Sequence, residues 1–111
     1  MNYRNKKILE NARNNSCQHC GANDGTIVAA HSNLGRHGKG MSIKAHDCFV
    51  AYLCWICHHQ LDQGFLFNRL EKEQLWTAAH KKSVPLFWGL LDEQGRATLE
   101  NEGMGWEGLL T

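Results

Sequence analysis

The run CFVAYLCWICHHQLDQ, residues 48–63, carries the three features on which the fold turns. CFVAYLC (48–54) is apolar and rich in aromatic and β-branched residues, the composition of a buried strand. Cys54-Trp-Ile-Cys57 then brings two thiols together at a tight turn. From Trp55 the pattern predicts a helix through CHHQLDQ to about Gly64, which would set His58 and Asp62 at i, i+4 on one face.

Upstream, CQHCGANDG (17–25) holds a second Cys-x-x-Cys, Cys17 and Cys20, in a Gly-punctuated knuckle. TIVAAH (26–31) predicts a strand ending in His31, and SNLGRHGKGMSIK (32–44) has no apolar periodicity and predicts a loop. YRNKKILENARN (3–14) predicts a short helix with Ile8, Leu9 and Ala12 as a narrow apolar stripe. Downstream, Asn68 and Glu71 fit a capping box opening the helix NRLEKEQLWTAAHKK. Beyond Pro85, RATLE (96–100) reads as a short strand, and the tail NEGMGWEGLLT as a segment that is either mobile or docked on a partner. The expected class is α+β.

At 111 residues, 42% of them hydrophobic, the chain is expected to be one small globular domain in which a metal staple would add much. The first fifteen residues lack the apolar run of a secretory signal, and no stretch approaches the roughly 20 apolar residues that span a membrane. The expected location is the cytoplasm, where thiols stay reduced. Paired Cys-x-x-Cys spacing there points to zinc or to redox chemistry. Two knuckles separated by 33 residues suit a closed tetrahedral thiolate site for zinc. The rivals are a redox pair, which needs a βαβ setting, and chance burial, which rarely gives this spacing twice. Cys48 is left over as a small core residue.

Charge divides unevenly. Residues 1–46 hold seven Lys/Arg against two acids, and residues 47–111 hold five against nine. A basic half suits a face turned to nucleic acid, although a chance division of solvated charges does as well. Within the basic half, Arg36, His37, Lys39 and Lys44 lie in the Gly-rich loop as candidate phosphate contacts. Seven histidines are many for this length. Taken one at a time, each is as well explained by packing. Together, His31 as a base, His58 with Asp62 as a divalent-cation pair and the basic loop make one candidate site for phosphodiester chemistry.

Ala30-His31, the loop with Gly38, Lys39, Gly40 and Lys44, then Asp47, and Cys54-Trp-Ile-Cys57-His58 with Asp62 resemble the zinc-containing HNH (ββα-metal) nucleases, and within them the small phage and prophage YbcO-like nucleases. The resemblance spans about residues 10–64. It implies a zinc-stabilised, treble-clef-like ββα-metal core with an N-terminal helix and a C-terminal helical extension over 65–111, all within a single domain. The implied activity is metal-dependent DNA endonuclease, in phage recombination, repair or processing. His31 takes the position of the general base and His58 that of a metal ligand. Asp47 is the nearest candidate for the middle Asn and, with His58 and Asp62, completes the expected ligand set for a second cation such as Mg2+, Mn2+ or Ni2+. His59 and His46 are reserves, and Ala30 stands where many members carry a ligand. DNA is the expected partner, and a homodimer through the C-terminal segment is compatible with the sequence. The alternatives are a non-catalytic zinc module that binds nucleic acid or protein, and an interaction domain using the acidic half and Trp106.

Overall fold

A computed structural model describes residues 2–101. The two apolar runs form the antiparallel strands β1 (Val28–His31) and β2 (Val50–Leu53), in a register that pairs His31 with Val50 and Ala30 with Ala51. Every residue of β2 is buried, which is why its sequence lacks alternation. A two-stranded sheet of this length is not stable alone. Its support comes from helices α1 (Lys6–Asn11), α2 (Trp55–Asp62), α3 (Arg69–Phe87) and α4 (Glu93–Asn101).

Side chains of α3 act where a third strand would. Ser83 Oγ accepts from the Tyr52 N–H at 2.9 Å, and His80 Nδ1–H donates to the Val50 carbonyl at 2.8 Å. On the same edge, the Tyr52 carbonyl accepts from the Gln18 N–H at 2.8 Å. Each such group left buried and unpaired would cost about 1–3 kcal/mol. The Asn68–Glu71 capping box opens α3 as expected. The helix runs past Lys82 and tolerates Pro85 within its last turn.

The apolar cluster draws on both ends of the described chain. Tyr3, Ile8 and Ala12 pack with Phe49 and Tyr52 of the centre, and with Trp76, Phe87 and Leu99 of α3 and α4. Thus α3 and α4 complete the core that residues 10–64 begin. RATLE is helical, contrary to the expected strand. Asp92 caps α4 through the Gly95 N–H at 2.9 Å, and Leu99 is fully buried. Gly95 lies so close to Tyr3 that an added Cβ would come within 2.7 Å of its ring. The 101–111 tail, with Trp106 and any dimer contact it makes, falls outside the described residues apart from Asn101.

His37 also departs from expectation. The loop turns it inward, where it is fully buried, stacked on Phe49 at 4.2 Å and bonded to Ser32 Oγ at 2.6 Å. It therefore cannot meet a phosphate. His80 lies beside it, stacked on Trp76 at 4.8 Å. Burial lowers the pKa of both rings to about 4, helped at His37 by the nearby Arg36, His80 and His46 and opposed at His80 by the Val50 carbonyl. The Nε2 atoms of both rings lack a hydrogen-bond partner among the described residues, so nothing there would stabilise an imidazolium.

A folded pKa near 4 lies below the value of about 6.5 in the unfolded chain, so between these limits the unfolded state binds more protons. The stability these rings allow is complete above about pH 6.5 and is lost as pH falls toward 4. The thermal midpoint should drop steadily across that window, while imidazole NMR shows His37 and His80 still neutral at pH 5. Either ring found protonated at pH 6 would overturn the assignment.

Candidate metal centre and histidine-lined cleft

Both Cys-x-x-Cys pairs lie in tight backbone turns, one tied to β2 and the other opening α2. In the first, Gly21 donates to the Cys17 carbonyl at 2.9 Å, and Cys17 donates to the Ala22 carbonyl at 2.8 Å. Gly21 takes the φ of 81° that this turn requires. Gln18 ties the turn to β2. In the second, Cys54 is the N-cap of α2 and Cys57 lies in its first turn. The four sulfurs lie within 4.8 Å of one another, and Cys20 and Cys54 Sγ are 3.6 Å apart. Tetrahedral zinc with bonds of about 2.3 Å sets its sulfurs about 3.8 Å apart. The cluster therefore fits a metal ion such as zinc, and none of its cysteines is in a disulfide.

The electrostatics agree. Burial works to raise the Cys17 pKa, but hydrogen bonds from the backbone of Cys20, Cys54 and His19 outweigh it and bring the thiol to about 7. Burial and the neighbouring Cys54, Cys20 and Cys17 push Cys57 far up. One thiolate is welcome and the next is not. A bound divalent cation removes that conflict, because it lets all four sulfurs ionise together.

His31 leaves the end of β1 and meets Asp47, with Nε2 and Oδ1 2.8 Å apart. The Asp47 carboxylate is nearly buried and already occupied. Oδ1 also accepts from Arg4 at 3.1 Å, and Oδ2 accepts from the Asn5 N–H at 2.7 Å. Burial would raise its pKa, but the bonds from His31 and Asn5 and the charges of His31 and Arg4 overcome this and hold it below the usual carboxylate value. Asp47 is thus an anion that accepts from His31, and not the metal ligand expected from the sequence. Its lone pairs are turned to protein donors.

Residues 2–5 hold the basic loop against this pair. Asn2 Nδ2 donates to the carbonyls of Gly38 and Lys44, and Arg4 to those of Ala45 and Lys44. Gly38, with φ 91°, sits where a Cβ would fall 2.9 Å from both Asn2 and His46. His46 is a structural residue, since its Nδ1 accepts from the Tyr3 N–H at 2.9 Å.

The loop so fixed brings Lys39 and Lys44 to a cleft of about 270 Å³ that His31, His58 and Asp62 also line. His58 Nε2 and Asp62 Oδ2 are 3.1 Å apart on α2, both partly exposed. Arg36 does not line that cleft; it pairs with Glu73 at 3.7 Å. His59 is exposed beside Trp55. Among the described residues the four cysteines are the one grouping of three or more potential metal ligands. The structure adds Arg4, Ser32 and Asn33 to the site. Sequence marks Arg4 only as one of the basic residues near the first helix and gives no sign of its pairing with Asp47, which lies 43 positions away.

No family model, curated protein or solved structure matches this chain. Among the described residues no helix is long and apolar enough to cross a membrane.

Metal analysis of the native protein should find about one tightly held zinc per chain. Cys57→Ser should lose that ion together with the cooperative thermal transition, because binding energy at such a site is largely folding energy. A metal-free protein with an unchanged midpoint would overturn the metal centre.

Proposed function

We propose that the chain is a metal-dependent DNA endonuclease of the HNH, ββα-metal type, stabilised by zinc at Cys17, Cys20, Cys54 and Cys57. The observation that carries this reading is the convergence of His31, His58, Asp62, Lys39 and Lys44 on one cleft from three separate segments: the end of β1, the basic loop and α2. A second divalent cation, when bound, would supply Lewis-acid stabilisation of charge on the scissile phosphate. His58 and Asp62 would hold it. A hard divalent cation such as Mg2+ would need few ligands from the protein.

Asp47 accepts from Nε2–H, which leaves Nδ1 of His31 as the basic nitrogen. Nδ1 takes a proton from water as the water oxygen bonds to phosphorus and the bond from phosphorus to the leaving sugar oxygen breaks. Asp47 stabilises the imidazolium that forms. Lys39 and Lys44 hold flanking phosphates. A second reading, a non-catalytic zinc module that binds nucleic acid, is favoured by the fact that His58 and Asp62 offer only two ligands.

His31→Ala should retain zinc, fold and DNA affinity, while cleavage of plasmid or branched DNA in magnesium or manganese falls about a hundredfold or more. Asp47→Asn should also cut slowly and with a shifted pH profile, because an amide no longer enforces the tautomer. Asp62→Ala should regain part of its rate in excess metal, and His31→Ala should not. Full activity in His31→Ala would remove this mechanism, and retention of DNA without cleavage in any cation would favour the binding module.

Lys39→Ala with Lys44→Ala should lower the salt slope of DNA binding by about two, nearly equally for all sequences. Arg36→Ala should leave it unchanged. The reverse pattern would move the DNA track to the Glu73 side.

A further inference from the structure

A second cavity adjoins the His31 cleft and shares Ser32 and Asn33 with it. Its volume is about 270 Å³. Leu34, Leu61 at the end of α2 and Trp76 of α3 give it apolar walls, and Arg69 and Lys72 bring two cations from the start of α3. The Trp76 wall is held from two sides. Its indole N–H donates to the Ala30 carbonyl at 2.9 Å, and its ring lies within 6° of parallel to His80. Glu73, on the same cavity, is paired with Arg36.

An apolar cavity of about 150 Å³ is enough to take benzene, so this one has room for a flat aromatic ring. A cavity with an apolar wall of Leu34, Leu61 and Trp76 and two cations, opening beside a cleft that carries two lysines, matches a ligand made of flat rings joined to phosphates. Nucleic acid has that chemistry. In a continuous duplex the bases are stacked inward, and a base reaches a side pocket only when it is unpaired or extruded.

We infer that this cavity receives an unpaired nucleobase next to the phosphate held in the His31 cleft, which makes the substrate single-stranded, flapped or branched DNA. Arg69 and Lys72 hold the adjoining phosphates, and the exposed Asn33 amide stands at the junction where a base edge would pass. The inference rests on the cleft being the DNA site proposed above.

The test uses zinc-loaded His31→Ala protein, which should bind without cutting, and labelled DNA of one sequence as duplex, fork and single strand. The fork and the single strand should bind about tenfold tighter than the duplex at equal salt. A single abasic nucleotide, moved along the single strand, should weaken binding about fivefold or more at one or two positions only. Arg69→Ala with Lys72→Ala should lower the salt slope by about two. A flat abasic profile, or a duplex bound as tightly as the single strand, would overturn the pocket. Cleavage by the wild-type protein is measured separately. Duplex cleavage with a flat abasic profile removes the pocket and leaves the nuclease. A position-specific abasic effect without cleavage in any cation keeps the pocket and removes the nuclease. If no form of DNA is retained, both fall.

Discussion

Four thiols whose sulfurs all lie within 4.8 Å of one another impose a charge constraint that the rest of the fold answers. Without a cation, ionising one suppresses the others; with one, all four can ionise. Because Cys54 both ends β2 and caps α2, a metal held there fixes the angle at which the helix leaves the sheet. That angle decides where His58 and Asp62 point. Because Gln18 hydrogen-bonds Tyr52, the other knuckle is fixed to the same strand. The thiol cluster, the sheet and the cleft are therefore one mechanical unit.

Two further devices hold what the cysteines leave loose. Helix α3 satisfies the open edge of β2 with Ser83 and His80, so a two-stranded sheet survives without a third strand. The segment 2–5, which has little regular structure, clamps the basic loop and Asp47. The cleft lies where these long-range contacts meet. Its residues are therefore held by elements far away in sequence.

That distance explains what could be read in advance. The strands, the knuckles, α2 and the α3 cap were legible because each is written in local spacing: apolar runs, Cys-x-x-Cys, and Asn68 with Glu71. The juxtaposition of His31, His58, Asp62 and two lysines was legible as a grouping, because two strands and a returning helix leave few other arrangements. The fate of His37 was not legible. Its neighbours in sequence are Arg36 and Gly38, and only Phe49 and Trp76 make its place apolar. The helical state of RATLE was hidden by Gly95, a poor helix former kept there by contact with Tyr3. Asp92, which caps this helix through the Gly95 N–H, is the local signal that marks its start.

Asp47 shows the same limit within the site itself. A carboxylate between a histidine and a basic loop reads equally well as a metal ligand and as an orienting partner, and spacing cannot separate the two. Competition for its lone pairs does. A ligand needs an oxygen turned to open space, whereas both Asp47 oxygens are committed to Arg4, Asn5 and His31 in a nearly closed setting. Arg4 balances the charge that burial would otherwise penalise, and it binds the carbonyls of the loop that carries Lys44. The group that fixes the His31 ring is thus joined, through one guanidinium, to the loop that would hold the phosphate. A change in either would be felt by the other.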